Sequence, residues 1–217
     1  PDSISIEQAA ACPLVSFASH MLLDKTARLQ IGETILIHAA SGGIGTAAIQ
    51  IAKSLGAGKI IGTVGTQVKI KEAELAGADY VISNQDEDFV AKVNELTNGN
   101  GVDVILDSLG GEYSVRSMNC LAPYGRLVVF GNASGSYAEI NTKLLHGSCR
   151  SVLGFSSVTT RKTKPDWYAQ TSQEVIKLMT NGELSIPVSK VLNFDNAAEA
   201  HRLMEEKAVT GKIILKY

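Results

Sequence analysis

The residues Gly43-Ile44-Gly45-Thr46-Ala47-Ala48 fit the spacing G-x-G-x-x-G/A and lie between the apolar run "TILIHA" and apolar residues at helical spacing. A turn of this kind between a strand and a helix can hold an anion. Gly43 permits the tight turn, Gly45 lets a phosphate approach the backbone, and Ala48 lets the helix pack close to the strand. The free N–H groups and positive dipole end of the helix would then receive the pyrophosphate of a dinucleotide. Any α/β protein can carry a glycine-rich turn; the strand before this one and the helix after it favour nucleotide binding.

An acidic residue at the end of the second strand, about 20 residues on, would bind the ribose 2′-hydroxyl of NAD. The local sequence is "GTVGTQVKIK", in which Gly65 and Thr66 close the strand, Lys69 and Lys71 follow, and the first carboxylate is Glu72. A carboxylate repels a 2′-phosphate and an ammonium attracts one, so NADP(H) is the expected cofactor. Lys69 is the better placed of the two lysines; a solvated helix face is the competing reading for both.

In an open α/β sheet the rest of the ligand lies at the carboxyl ends of the strands. Those ends are Ser83-Asn84, Asp107-Ser108-Leu109-Gly110-Gly111, Phe130-Gly131-Asn132 and Gly154-Phe155. Their Gly, Ser and Asn residues offer backbone approach and hydrogen bonds. With Ser41, Gly42, Gly43, Ile44 and Gly45 they form the expected ligand rim.

The elements that position this rim alternate regularly. A helix is expected over 6–30, interrupted at Pro13. Then come "TILIHA" strand, helix 43–56, "KIIGTV" strand, helix 67–76, "DYVIS" strand, helix 86–97, "VDVILDS" strand, helix 111–122, and the strands "GRLVVFG" and "SVLGFS". Nearly continuous apolar strands, each followed by a helix, predict a doubly wound parallel sheet of about six strands with helices on both faces. Turns are expected at "LGAGK", "LAGAD", "TNGNG" and "APYG". Beyond residue 160 come a basic loop, a helix over 166–181, the strand "VSKVLNF", a helix "NAAEAHRLMEEK" capped by Asp195 or Asn196, and the strand "KIILKY". These last strands do not continue the alternation and are expected in another lobe.

The chain has 217 residues, with 20 Lys and Arg against 22 Asp and Glu. A net charge of −2 gives no general attraction to nucleic acid or to an acidic membrane surface. Cys12, Cys120 and Cys149 form no disulfide framework or zinc-cluster spacing, which favours a reduced, cytoplasmic setting. No apolar run reaches the roughly 18 residues of a membrane span. The chain starts at Pro1 rather than Met, as a piece of something longer would.

The blocks "HAASGGIGTAAIQIAKSLGA", "AGADYVIS", "GVDVILDSLGGE", "GRLVVFGNASG" and "AAEAHRLMEEKAVTGKIILKY" together resemble zinc-independent medium-chain dehydrogenase/reductases of the NADPH:quinone oxidoreductase type. The resemblance runs along the whole chain. It implies a Rossmann-type cofactor domain joined to a GroES-like catalytic domain, most of which would precede this chain. Residues 1–30 would be a linking helix region, 31–160 the NADP-binding domain and 161–217 a return segment of the catalytic domain. The resemblance assigns Gly42, Gly43, Ile44 and Gly45 to the pyrophosphate and Gly65 and Lys69 to the 2′-phosphate. It assigns Leu109, Gly110, Phe130, Gly131 and Asn132 to the nicotinamide half.

There are departures from that pattern. Many relatives carry Tyr near position 84, where this chain has Ser83-Asn84, and many carry Thr where Ala18 stands. Cys12 lies two residues from where zinc-dependent relatives place a ligand cysteine, so a small core residue is expected there and no metal. The implied activity is hydride transfer to a quinone or activated alkene.

Three rivals bear on that reading. A short-chain dehydrogenase would need Tyr-x-x-x-Lys, which no tyrosine here provides. An enoyl or enone reductase of the same superfamily remains the alternative, although Asn132 stands where such domains commonly set a lysine. A non-catalytic nucleotide-binding module is the third, because no residue reads as a catalytic acid or base. His20, His38, His146 and His201 are expected to be satisfied structural histidines, and Asp107 to anchor a strand-end turn. Hydride transfer does not require a protein acid, since the cofactor carries the chemistry. The run "GSYAEIN" is read as a sheet edge open to a second copy, giving a homodimer.

Overall fold

A computed structural model describes residues 1–206 and 209–217. Helix α1 (Ile6–Met21) starts at Ser5, whose side chain accepts from the Gln8 N–H, and passes into a π-helical turn over Leu22–Ala27. Pro13 does not interrupt α1. It lies on the exposed side, while its neighbours Ala11, Cys12 and Val15 are buried in the core. That packing offsets the roughly 3 kcal/mol cost of an interior proline.

Strand β1 (Thr34–Ile37) leads to α2 (Gly43–Ser54), β2 (Lys59–Val64), a 3₁₀ turn over Gln67–Lys69, α3 (Ile70–Leu75) and β3 (Tyr80–Ser83). The second half runs α4 (Phe89–Leu96), β4 (Val102–Asp107), α5 (Glu112–Ser117), β5 (Leu121–Val129), α6 (Lys143–His146) and β6 (Ser151–Gly154). The six strands form one parallel sheet in the order β3-β2-β1-β4-β5-β6. The chain thus winds outward twice from β1 and β4, and the two halves part between them.

Successive strand residues face opposite sides, and both sides are buried. Ile35, Ile37, Val104 and Leu106 pack toward α1 and α2, while Leu36, Ile61, Ile105 and Leu127 meet Phe89, Val93 and Met118. This explains why the strands read as continuous apolar runs. Gly56, Gly77 and Gly99 close their helices with φ of 84°, 105° and 77°, a region that glycine enters without strain.

Two expected boundaries move. The helix expected over 111–122 stops at Ser117, because Leu121 already pairs with Val102 in the sheet. "APYG" is no free turn but an irregularity inside β5, where the register slips between Val102 and Val104 and Tyr124 adopts φ 62°.

Helices α7 (Ser157–Thr163) and α8 (Pro165–Thr180) follow, then β7 (Val188–Asn193), α9 (Ala197–Glu205) and β8 (Lys212–Lys216). Strands β7 and β8 pair in parallel as a separate two-stranded sheet. The expected cap of α9 is displaced: Asn193 accepts from the Asp195 N–H to start a 3₁₀ turn, and the Asn196 side chain makes no capping bond. Residues 135–141, read as an edge, form no strand; the sheet edge on that side is β6.

Candidate nucleotide-binding site

The turn from β1 into α2 is held by the sheet itself. His38 N–H donates to the Leu106 carbonyl at 3.0 Å and Ala40 N–H to the Thr63 carbonyl at 2.8 Å, and Ala39 reverses the chain with φ 52°. A Cβ on Gly45 would lie 2.6 Å from the Ala40 carbonyl oxygen and closer still to that of Ala39. Gly45 is therefore glycine because α2 presses on the turn, a task the sequence reading gave to ligand approach.

The first helical bond of α2 runs from Thr46 N–H to the Gly42 carbonyl, and no side chain caps the helix. The N–H groups of Gly43, Ile44 and Gly45 thus have no acceptor within the helix, at its positive dipole end. Ser41, Gly43 and Ile44 are half-buried and Gly42 is exposed, so the cradle opens outward. Beside it lies a cation the sequence reading missed. Lys212 on β8 places Cε and Nζ 3.4 and 3.6 Å from where a Gly43 Cβ would be. Only the return of β8 to α1 reveals it.

At the end of β2, Gly65 is exposed with open space at its Cβ position. Thr66 and Lys69 are half-buried, with Lys69 N–H donating to the Thr66 carbonyl at 3.1 Å. Lys69 ends the 3₁₀ turn rather than standing one turn inside a helix. Asn84 N–H donates to the Val64 carbonyl at 2.9 Å, which brings Asn84 beside Gly65, and its buried Oδ1 has no partner among the described residues.

The ends of β4 and β5 are laced together. Asp107 Oδ1 accepts from the N–H groups of Leu109 at 2.8 Å and Gly110 at 3.1 Å, and Oδ2 accepts from the Ser114 hydroxyl. Phe130 N–H donates to the Asp107 carbonyl, and Ser134 N–H to that of Leu109. Gly131 leaves no room for a Cβ, which would sit 2.6 Å from the Ser108 carbonyl oxygen. Asn132 projects toward Gly110, and its buried Oδ1 also lacks a partner among the described residues. Asp107 anchors the turn as expected. Gly154 pairs with Val129 and Phe155 N–H donates to the Val129 carbonyl at 3.0 Å, so both join the end of β5, and they line a cleft of about 670 Å³ with Lys25, Arg28 and Trp167.

The histidines divide. His38 is fully buried between Thr63 Oγ1 and Ser117 Oγ, each 2.9 Å away, and burial pushes its pKa down to about 4 against the pull of Asp107. It is the satisfied structural histidine expected. His20 is buried but its Nδ1 has no partner among the described residues; burial also lowers its pKa, opposed by Glu174 and Asp24. His146 and His201 are exposed, so they are not buried structural groups. Cys12 packs in the core as a small residue.

A sequence profile described as zinc-binding dehydrogenase matches residues 43–181, from the glycine turn to the end of α8. The chain belongs to this family. Its quinone oxidoreductase-type members are similar to it throughout. Quinone oxidoreductase 1 of Escherichia coli (strain K12) is 37% identical over 217 residues, covering 99% of this chain and 66% of the relative. The crystal structure of Escherichia coli quinone oxidoreductase complexed with NADPH superimposes with a TM-score of 0.89 at 37% identity, over 100% of this chain and 67% of that one. The CurK enoyl reductase structure gives 0.86 at 31%, over 100% and 64%. The chain therefore spans about two thirds of the length of these zinc-binding dehydrogenase relatives. As in that family, the sheet is of the Rossmann type.

Proposed function

We propose that the chain is the NADP(H)-binding part of a cytoplasmic oxidoreductase that reduces a quinone or another activated alkene. Residues 31–160 bind the cofactor, and 161–217 return to a catalytic lobe. The observation that carries the reading is the carboxylate-free turn Gly65-Thr66 with Lys69 beside it. Two features support a fit to the dinucleotide: the cradle at Gly43–Gly45, and the orphaned buried oxygens of Asn84 and Asn132 on the rim.

When bound, NADPH supplies the hydride. The chain's own residues orient and neutralise. The Gly43, Ile44 and Gly45 N–H groups and Lys212 hold the pyrophosphate, and Lys69 pairs with the 2′-phosphate. Leu109, Gly110, Phe130, Gly131 and Asn132 bound the nicotinamide half, and Asp107 keeps their turn rigid. A proton for the reduced acceptor comes from solvent.

Enoyl or enone reduction is the second reading, favoured by the likeness to the enoyl reductase. A homodimer belongs to the same proposal. Calorimetry tests the cofactor assignment: NADPH should bind at least about tenfold more tightly than NADH, and Lys69→Ala should weaken NADPH alone. Equal affinities before and after the substitution would refute it.

A further inference from the structure

A cavity of about 420 Å³ opens at the end of α2 remote from the glycine turn, and His20, Asp24, Lys25, Ser54, Glu174 and Lys177 help to line it. Twelve residues of α2 put it roughly 18 Å from the phosphate cradle. His20 comes from the last turn of α1, Asp24 from the π-helical turn four residues later, and Glu174 from α8 on the other side. His20 Nε2 and Glu174 Oε2 are 3.2 Å apart, and one donor atom from each of the three side chains lies within 4.8 Å of the others. The His20 side chain is only 6% exposed, and its Nδ1 has no hydrogen-bond partner among the described residues, while Glu174 Oε2 is buried against His20 Nε2 alone. Unsatisfied buried polar atoms are rare without a bound water or ion.

The surrounding backbone favours positive charge. Leu55 and Asn181, the C-terminal caps of α2 and α8, both line the cavity, so two negative dipole ends converge there. We infer that His20, Asp24 and Glu174 form a site for one divalent transition-metal ion of the zinc class, which clamps α1 to α8. One imidazole and two carboxylates suit Zn²⁺ or Co²⁺ better than Ca²⁺ or Mg²⁺. Ligand bonds of about 2.0–2.1 Å in a tetrahedron need donor atoms roughly 3.3 Å apart. The His20–Glu174 pair meets that spacing already, and Asp24, within 4.8 Å of both, has to draw in to complete it.

Lys25 competes for the same charge. Its ammonium is 2.7 Å from Asp24 Oδ2, and Lys177 adds a second positive group at the rim. The site is therefore one of moderate affinity that loss of Lys25 strengthens.

The test is a titration of the 217-residue chain carrying Cys149→Ser, which removes the exposed thiol. Co²⁺ absorption and Zn²⁺ calorimetry report stoichiometry and affinity. The expected result is one ion per chain with a micromolar Kd and a raised Tm. Asp24→Asn and Glu174→Gln should each weaken binding about tenfold or more, and Lys25→Gln should tighten it. NADPH affinity should stay the same in Glu174→Gln, whatever the outcome for the cofactor assignment. Absence of saturable binding up to millimolar Zn²⁺, or binding that neither Asp24→Asn nor Glu174→Gln alters, overturns the proposal.

Discussion

Gly45 and Ala40 approach so closely that a single methyl group on Gly45 would lie 2.6 Å from the Ala40 carbonyl oxygen. The obstruction is backbone, so it cannot swing aside as a side chain would. Gly45→Ala should lift the first turn of α2 off the β1 turn at a cost of about 1–3 kcal/mol. Thermal unfolding should show that loss, and dinucleotide affinity should fall with it. An unchanged Tm would mean that the helix tolerates the displacement.

Lys212 and Lys69 should separate by ligand. Lys212 faces the start of α2, where the pyrophosphate common to NADH and NADPH is proposed to lie. Lys212→Gln should therefore weaken both dinucleotides by a similar factor, about five- to thirtyfold. It should leave 2′-AMP binding unchanged and make dinucleotide binding less sensitive to salt. A loss confined to NADPH would place Lys212 at the adenosine end instead.

The buried His38 predicts an acid limit on stability. Its folded pKa of about 4 lies below the ordinary value of 6.5, so between those pH values the unfolded chain binds more protons than the folded one. Stability should then decline as pH falls below 6.5, by about 1.4 kcal/mol per unit at most, and this contribution should level off below pH 4. His38→Gln, which keeps polar atoms near Thr63 and Ser117, should flatten the slope in urea titrations across that window. A slope unchanged by the substitution would assign the acid sensitivity to other groups.

Glu33 should act in a lower window. Burial raises its pKa, but the Arg126 guanidinium, with contacts of 2.6 and 2.8 Å, and the Gln30 N–H outweigh burial and hold the carboxyl below its usual value. Its stabilisation is present above the unfolded pKa of about 4.3 and is lost as pH falls through the folded value. Glu33→Gln should cost about 1–3 kcal/mol at pH 7 and less at pH 3, read from denaturant midpoints.

The sheet was legible because each strand is buried on both faces, so Ile35 to Ile37 and Val104 to Leu106 are apolar without alternation. The places of the glycine turn and of Gly65–Lys69 at the ends of β1 and β2 were legible because their parts are local in sequence. Boundaries failed where one apolar stretch served two elements: Leu121 looks helical after α5 yet pairs in β5. Lys212 beside Gly43, and Glu174 beside His20, were invisible because nothing local links their positions. Their juxtaposition is made by α1, which packs against α8 and β8 at once.

Gln8 fastens the beginning of α1 to the segment before β7 with two bonds: its Nε2 donates to the Ile186 carbonyl at 2.7 Å, and its Oε1 accepts from the Ile186 N–H at 2.9 Å. The clasp brings entry and exit of the intervening chain to one place, like the two ends of a buckled belt. Ends that meet are the geometry by which a folded unit can sit within a longer polypeptide, because the host then has only a short gap to bridge.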